Sequence, residues 1–267
     1  MGRGSELGER MSTEDKNKDN RLEVSQAFSV KTSAGFTLIE LLVVISIIGV
    51  LASLIVGISA VASTNKKLSA SKGKLSRLEL AIESYKASVG SYPPDAKFAN
   101  GQVNSVTNQL FYELAGTVYR NRLFVSIQGG EGLNRQVCRS LFGVDGIQNT
   151  ATKESKSKSF LELGTSDYAP FSGNADNSVK MLIGPVKWPQ KDLAGVDSRG
   201  RLMSDYRPIK SNDPALRILN PFQYRSSGRD RFNLTSFDLW IDVPIGGKIY
   251  RVNNWSPKPK VISRADK

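Results

Sequence analysis

The chain has 267 residues, with 37 lysines and arginines against 25 carboxylates, a net charge of +12. With no histidine and a lone cysteine, Cys138, it cannot build an internal disulfide, a His-containing metal site or the usual nucleophile–base pairs. A carboxylate-only active site is the remaining catalytic option and no pattern points to one, so the expectation is a non-enzyme with no cofactor and no metal.

Residues 1–35 balance six basic against six acidic side chains, so the positive excess lies beyond them. Their composition around Glu14, Asp15, Lys16 and Asp19 is too polar to build a core. The next stretch, 33–65, reads SAGFTLIELLVVISIIGVLASLIVGISAVASTN, and no charged residue occurs in 41–65. At ~1.5 Å per residue such a run is long enough to cross a ~30 Å hydrocarbon core. Glu40 stands near its head, where a carboxylate costs up to about 3 kcal/mol on insertion scales and needs a partner. Arg21 and Lys31 precede the run, while Lys66, Lys67, Lys72, Lys74 and Arg77 follow it. By the positive-inside rule alone, that count favours an orientation with the following residues cytoplasmic.

The segment Gly35-Phe36-Thr37-Leu38-Ile39-Glu40-Leu41-Leu42-Val43-Val44 resembles the prepilin signal of type IV pilins and type II secretion pseudopilins. The resemblance implies that a prepilin peptidase cuts between Gly35 and Phe36 and methylates the new amine of Phe36. The mature chain then waits in the inner membrane as a single-pass protein with a periplasmic C-terminal domain. From there an inner-membrane assembly platform draws it into a filament with copies of itself and other pseudopilins. The orientation follows the resemblance rather than the charge count. A rival reading takes Ala60-Val61-Ala62 as an A-x-A site that releases a secreted or periplasmic binding domain from Ser63. The apolar stretch exceeds the 7–15 residues of a signal-peptide h-region, and it carries Glu40.

Beyond the run the pattern turns amphipathic. Leu68, Leu75, Leu78, Ile82, Tyr85 and Val89 fall on one helical face. One continuous helix from Phe36 to about Val89 is predicted, ended by Gly90 and Pro93-Pro94. Gly49 and Gly57 interrupt it, each costing about 1 kcal/mol of helix propensity relative to alanine. They mark either a point of helix flexibility or a close contact with a neighbouring helix.

Residues 96–210 read as an insertion. Within it 107–115 (TNQLFYELA) predicts a helix capped by Thr107 and stopped by Gly116. Residues 123–127 and 179–186 predict strands, and 153–158 (KESKSK) an exposed loop. In the tail, Phe222 and Tyr224 alternate, 226–230 reads as a turn, and Phe237, Leu239, Ile241 and Val243 alternate with Asp238, Trp240 and Asp242 as a half-buried strand. Gly246-Gly247 turns the chain into 248–252, completing a three-stranded meander. Residues 220–228 (NPFQYRSSG), 237–240 (FDLW) and Asn253-Asn254-Trp255 resemble the tail of the major pseudopilin. The acidic calcium loop that this resemblance implies is replaced by 241–248, which leaves Asp238 and Asp242 alone between Leu234 and Trp255.

The expected fold is α+β: a long N-terminal helix, transmembrane in its first half and amphipathic in its second, packed on a small antiparallel sheet. The expected parts are a leader 1–35, a transmembrane helix 36–62, an amphipathic continuation 63–90 and a pilin-like domain 91–267. The expected function is a pseudopilin of a type II secretion-like filament. Alternatives are a type IV pilin-like subunit for adhesion, motility or DNA uptake, and the released binding domain. Expected partners are prepilin peptidase, other subunits, the assembly platform and membrane lipid. The scattered lysines and arginines carry no basic–aromatic motif, so a solvated surface is the simpler reading and nucleic acid ranks last. For Glu40 two roles stand open: countering the Phe36 amine of a neighbouring subunit, or serving the free N–H groups of its own helix start.

Overall fold

One helix, α1 (Leu38–Val89), opens the described chain. The computed structural model describes residues 35–171, 179–190, 193–196 and 202–262, and of 54–60, 193–196 and 202–206 the backbone alone. Residues 1–34 of the expected leader lie outside these. The helix stops because Gly90 adopts φ +90°, a left-handed conformation that strains any side-chain-bearing residue. The Gly90 N–H donates to the Lys86 carbonyl at 2.8 Å.

The chain divides between Ala52 and Ser53 into two units. In the second, the predicted stripe is the buried one: Leu75, Leu78, Ile82 and Tyr85 are inaccessible, with Leu68 and Val89 half-buried at its ends. Ser71 lies on the same face and hides its hydroxyl by donating to the Lys67 carbonyl at 2.9 Å. At about 2 kcal/mol per fully buried large apolar side chain, this stripe is a main hold of the helix on the domain.

Next come α2 (Leu110–Ala115), β1 (Thr117–Arg120), β2 (Leu123–Ser126), the short α3 (Arg135–Val137) and β3 (Thr150–Ala151). β2, β1 and β3 form a three-stranded sheet in that order. β4 (Tyr168–Phe171) pairs with β5 (Val179–Leu182), and β6 (Leu193–Val196) with β7 (Leu202–Tyr206). After α4 (Pro214–Arg217) come β8 (Gln223–Arg225), β9 (Asp238–Ile245), β10 (Lys248–Asn253) and β11 (Lys260–Val261), an antiparallel sheet in the order β11-β10-β9-β8. Phe222, Tyr224, Phe237, Leu239, Ile241 and Val243 share one core with the α1 stripe. The tail meander is therefore the sheet on which the amphipathic half of α1 lies.

Three expectations are corrected. First, the helix predicted over 107–115 starts at Leu110, and Thr107 does not cap it. Asn104 Oδ1 takes the Thr107 N–H at 3.1 Å and Asn108 Oδ1 takes that of Leu110 at 3.3 Å, local bonds that hold the preceding residues out of the helix. Gly116 does end it, at φ +84°, where a Cβ would lie 2.7 Å from the Lys158 carbonyl oxygen. Second, the strand predicted over 179–186 stops at Leu182. Two residues later Gly184 runs so close to β9 that a Cβ would strike the Ile241 side chain.

Third, β9 is buried on both faces rather than half-buried. Asp238, Trp240 and Asp242 are inaccessible because loop and strand neighbours cover them. The Phe232 and Asn233 N–H groups donate to Asp238 at 2.8 and 2.9 Å, and Arg251 grips Asp242 through Nε and Nη2 at 2.8 and 2.9 Å. The Trp240 ring meets Trp255 at 5.8 Å between centroids.

The region read as an insertion, 96–210, contributes to this core. Phe111, Tyr112 and Leu114 of α2 lie in the same core as Ile82 and Tyr85. Glu113 between them is buried, accepting from Tyr85 Oη at 3.0 Å and from the Gln148 and Asn149 N–H groups at 2.8 Å each. Desolvation pushes its carboxyl above the usual range, the two N–H bonds working the other way. The same burial pushes the Cys138 thiol up to about 11, which keeps it protonated and unreactive at neutral pH. The 153–158 segment is exposed, as read, around a short helical turn at Glu154–Lys156.

Candidate processing and assembly site at the start of helix α1

Gly35, Phe36 and Thr37 precede the first helical residue, Leu38. A helix start leaves its first N–H groups without carbonyl partners. Thr37 and Glu40 answer this reciprocally: Glu40 N–H donates to Thr37 Oγ1 at 3.3 Å, while Thr37 N–H and Oγ1 donate to Glu40 Oε2 at 2.8 and 2.7 Å. This is a capping box, in which residue and third follower satisfy one another. The carboxylate also sits at the positive end of the helix dipole, which welcomes it. Of the two roles weighed for Glu40, the capping role is the one occupied within one subunit.

The side chains around this box have no cover. Phe36 is 81% exposed, and all twelve large apolar side chains from Phe36 to Leu51 are exposed, from 44% at Val44 to 85% at Leu38. An apolar surface of this extent, presented on every side of a helix, is the signature of a lipid- or helix-facing segment. Among the described residues no helix is long and apolar enough to cross a membrane. The described apolar part of α1, residues 38–53, spans about 24 Å at 1.5 Å per residue, short of a ~30 Å core. Of the rest of the expected span, 54–60 lie outside the described side chains and 61–62 are exposed.

Of the sequence-read site residues, Gly35 and Phe36 immediately precede the helix and Glu40 lies in its first turn, bonded to Thr37. Gly49 lies farther along α1, where an added Cβ would meet nothing within 4 Å. Its glycine therefore serves no contact within the described chain. Gly57 lies outside the described side chains. Thr37 was missed by the sequence reading, although Thr-x-x-Glu ahead of an apolar run is the pattern of a capping box.

Residues 30–56 match the family model of the prokaryotic N-terminal methylation motif. The chain carries a prepilin-type signal. This is the signal of pseudopilins and type IV pilins, and it marks a pilin-like or pseudopilin subunit. It implies processing by prepilin peptidase and assembly into multimers with similar subunits. No curated protein and no solved structure matches the chain. In the prepilin-type signal found here, the capping box supplies a defined helix start two residues beyond the expected new terminus, Phe36.

Proposed function

We propose that this chain is a pseudopilin, a structural subunit of a type II secretion-like filament, and a substrate and building block rather than a catalyst. Prepilin peptidase removes 1–35 and methylates Phe36. The apolar half of α1, 36–62, holds the subunit in the inner membrane, with the remaining domain in the periplasm until assembly. The observation that carries this reading is the exposed apolar helix start with one carboxylate inside a matched prepilin-type signal. Two features favour a secretion-type subunit over a pilus-type one: the lone Cys138, which leaves no disulfide for the tail, and the tail's resemblance to the major pseudopilin.

On assembly the cationic amine of Phe36 enters an apolar bundle. An unpaired buried charge costs several kcal/mol, and Glu40 of an adjacent subunit is the counter-charge available. The pair would fix the axial register between subunits. N-terminal mass spectrometry of the membrane-extracted protein tests the proposal. The expected result is a chain beginning at N-methyl-Phe36, and a chain beginning at Ser63 would overturn it.

A further inference from the structure

A short hairpin follows the end of α1. Lys97 and Val103 form its closing bridge, and within it the Phe98 N–H donates to the Gln102 carbonyl at 2.8 Å and the Gly101 N–H to the Phe98 carbonyl at 2.9 Å. Its base is moored to the domain, with the Lys97 N–H on the Phe142 carbonyl at 2.8 Å and the Asn104 N–H on the Ala96 carbonyl at 2.7 Å. Residues 97–102 are all exposed. At the tip stands Asn100-Gly101, the one asparagine–glycine step in the chain.

An asparagine side chain closes on the backbone nitrogen of the next residue when that nitrogen is unhindered, Cγ is electrophilic and the amine is free to leave. All three conditions meet here. Gly101 has no Cβ, and at its φ of +78° an added one would meet nothing within 4 Å, so the nitrogen is approachable. The Gln102 N–H donates to Asn100 Oδ1 at 3.0 Å, which draws electron density from Cγ and folds the side chain toward the following peptide. Asn100 Nδ2 makes no hydrogen bond among the described residues. Other asparagines differ on both counts. The amide nitrogens of Asn108, Asn149, Asn220, Asn233 and Asn254 are each bound to a carbonyl, and each of these residues precedes one that carries a side chain.

We infer that Asn100 is a site of spontaneous, enzyme-free covalent modification that turns the neutral hairpin tip anionic as the subunit ages. The Gly101 nitrogen leaves the Phe98 carbonyl, gives its proton to a solvent base and bonds to Asn100 Cγ. The Cγ–Nδ2 bond breaks, the amine departs as ammonia with a proton from solvent, and a five-membered succinimide remains. Water then opens the ring at either carbonyl. The Gly101 nitrogen regains a proton, and the product is aspartate or isoaspartate, with nothing oxidised or reduced. The Gly101–Phe98 bond opposes the first step, but it lies at an exposed turn, where water readily replaces a carbonyl partner. Isoaspartate lengthens the main chain by one atom between Phe98 and Gln102, so both hairpin bonds across the tip are disturbed. The mooring bonds of Lys97 and Asn104 lie outside the altered turn, so the change stays at the tip.

The test uses the full-length chain in detergent micelles, incubated at neutral and at mildly alkaline pH in water enriched in heavy oxygen. Digestion and peptide mass spectrometry follow, with fragmentation that separates aspartate from isoaspartate. In ordinary water each conversion adds about one dalton, an oxygen replacing the amine; in the enriched water the added oxygen should carry the heavy isotope. The gain should arise first in the peptide that holds Asn100, faster at the higher pH, with isoaspartate among the products. Gly101→Ala, which hinders the nitrogen, and Asn100→Gln, which would have to close a larger ring, should both lose the gain over the same incubation. No gain at Asn100 overturns the inference, as does an earlier gain at Asn104, Asn108 or Asn149. Conversion in both variants at the rate of the unmodified chain overturns it as well, since neither the open glycine nor the asparagine would then be its cause.

Discussion

In the isolated subunit the Glu40 carboxylate already accepts from both the N–H and the hydroxyl of Thr37, so a neighbouring Phe36 amine must share or displace those bonds. Glutamine keeps the capping box but carries no charge, which makes Glu40→Gln the substitution that separates the two roles. With charge pairing between subunits, Glu40→Gln and Glu40→Leu should both be processed and inserted yet fail to assemble, while Glu40→Asp retains part of the activity. With capping alone, the glutamine variant should build filaments at the normal rate while the leucine variant fails. Filament yield by shearing and electron microscopy reads the difference. Thr37→Ala should cost about 1 kcal/mol of helix-start stability without changing the charge available to a neighbour. Asp242 poses the opposite case, a carboxylate already held by Arg251 through two bonds. Both oxygens of Asp238 are likewise engaged, by the Phe232 and Asn233 N–H groups. Calcium needs 6–8 oxygen ligands, and the oxygens of these two carboxylates are already engaged. Scanning calorimetry of the domain should therefore show no calcium-dependent rise in melting temperature. Arg251→Ala, which strands a buried charge, should lower stability by about 3–5 kcal/mol. A clear rise at sub-millimolar calcium would mean that ligands come from elsewhere in the chain.

Among the elements, α2 shows what the sequence pattern conceals. Its six residues are all buried, Glu113 included, although a carboxylate is almost never fully buried unless it is paired. The carboxylate bolts α2 to Tyr85 of α1 and to the Gln148–Asn149 turn. Its raised carboxyl pKa carries a pH dependence of definite sign. A carboxyl whose pKa is higher folded than unfolded binds more protons in the native state, so unfolding free energy falls as pH rises between the two values. Its contribution is fully present below the unfolded value of about 4.3 and is lost as pH rises through the folded one. Denaturant unfolding of the detergent-solubilised chain from pH 4 upward should show that decline, and Glu113→Gln should remove it. A difference between the two proteins that stays constant with pH, or grows with it, would contradict the assignment. β9 fails to be legible for a related reason. Alternation in FDLWIDV correctly gives the face toward α1, but the covering of Asp238, Trp240 and Asp242 is supplied by a loop and by Arg251, residues whose arrival no local pattern encodes.

On the scale of the molecule, the parts set by local periodicity were readable and those set by tertiary contact were not. The α1 stripe, the Gly90 stop and the β8–β9–β10 meander follow from spacings within a few residues. The end of β5 and the joining of 96–210 to the core depend on contacts between residues far apart in sequence, such as Gly184 with Ile241 and Glu113 with Tyr85, while the start of α2 depends on side-chain bonds of Asn104 and Asn108 that the helical pattern does not encode. The prepilin-type signal was legible because its residues are contiguous in sequence, whereas the Thr37 half of the cap was missed. The division of labour along the chain yields a last expectation. The buried apolar core begins in sequence at Leu75, whereas the apolar side chains of 36–51 are all exposed. Self-association should therefore depend on the first segment and folding on the second. A chain of residues 63–267, which keeps the whole stripe and the sheet, should unfold cooperatively and run as a monomer in light scattering without detergent. The full-length chain should need detergent and form higher species on its removal. If the shortened chain assembles like the full-length one, the surface that drives assembly lies in the domain, and the exposed start of α1 is not the element that builds the filament.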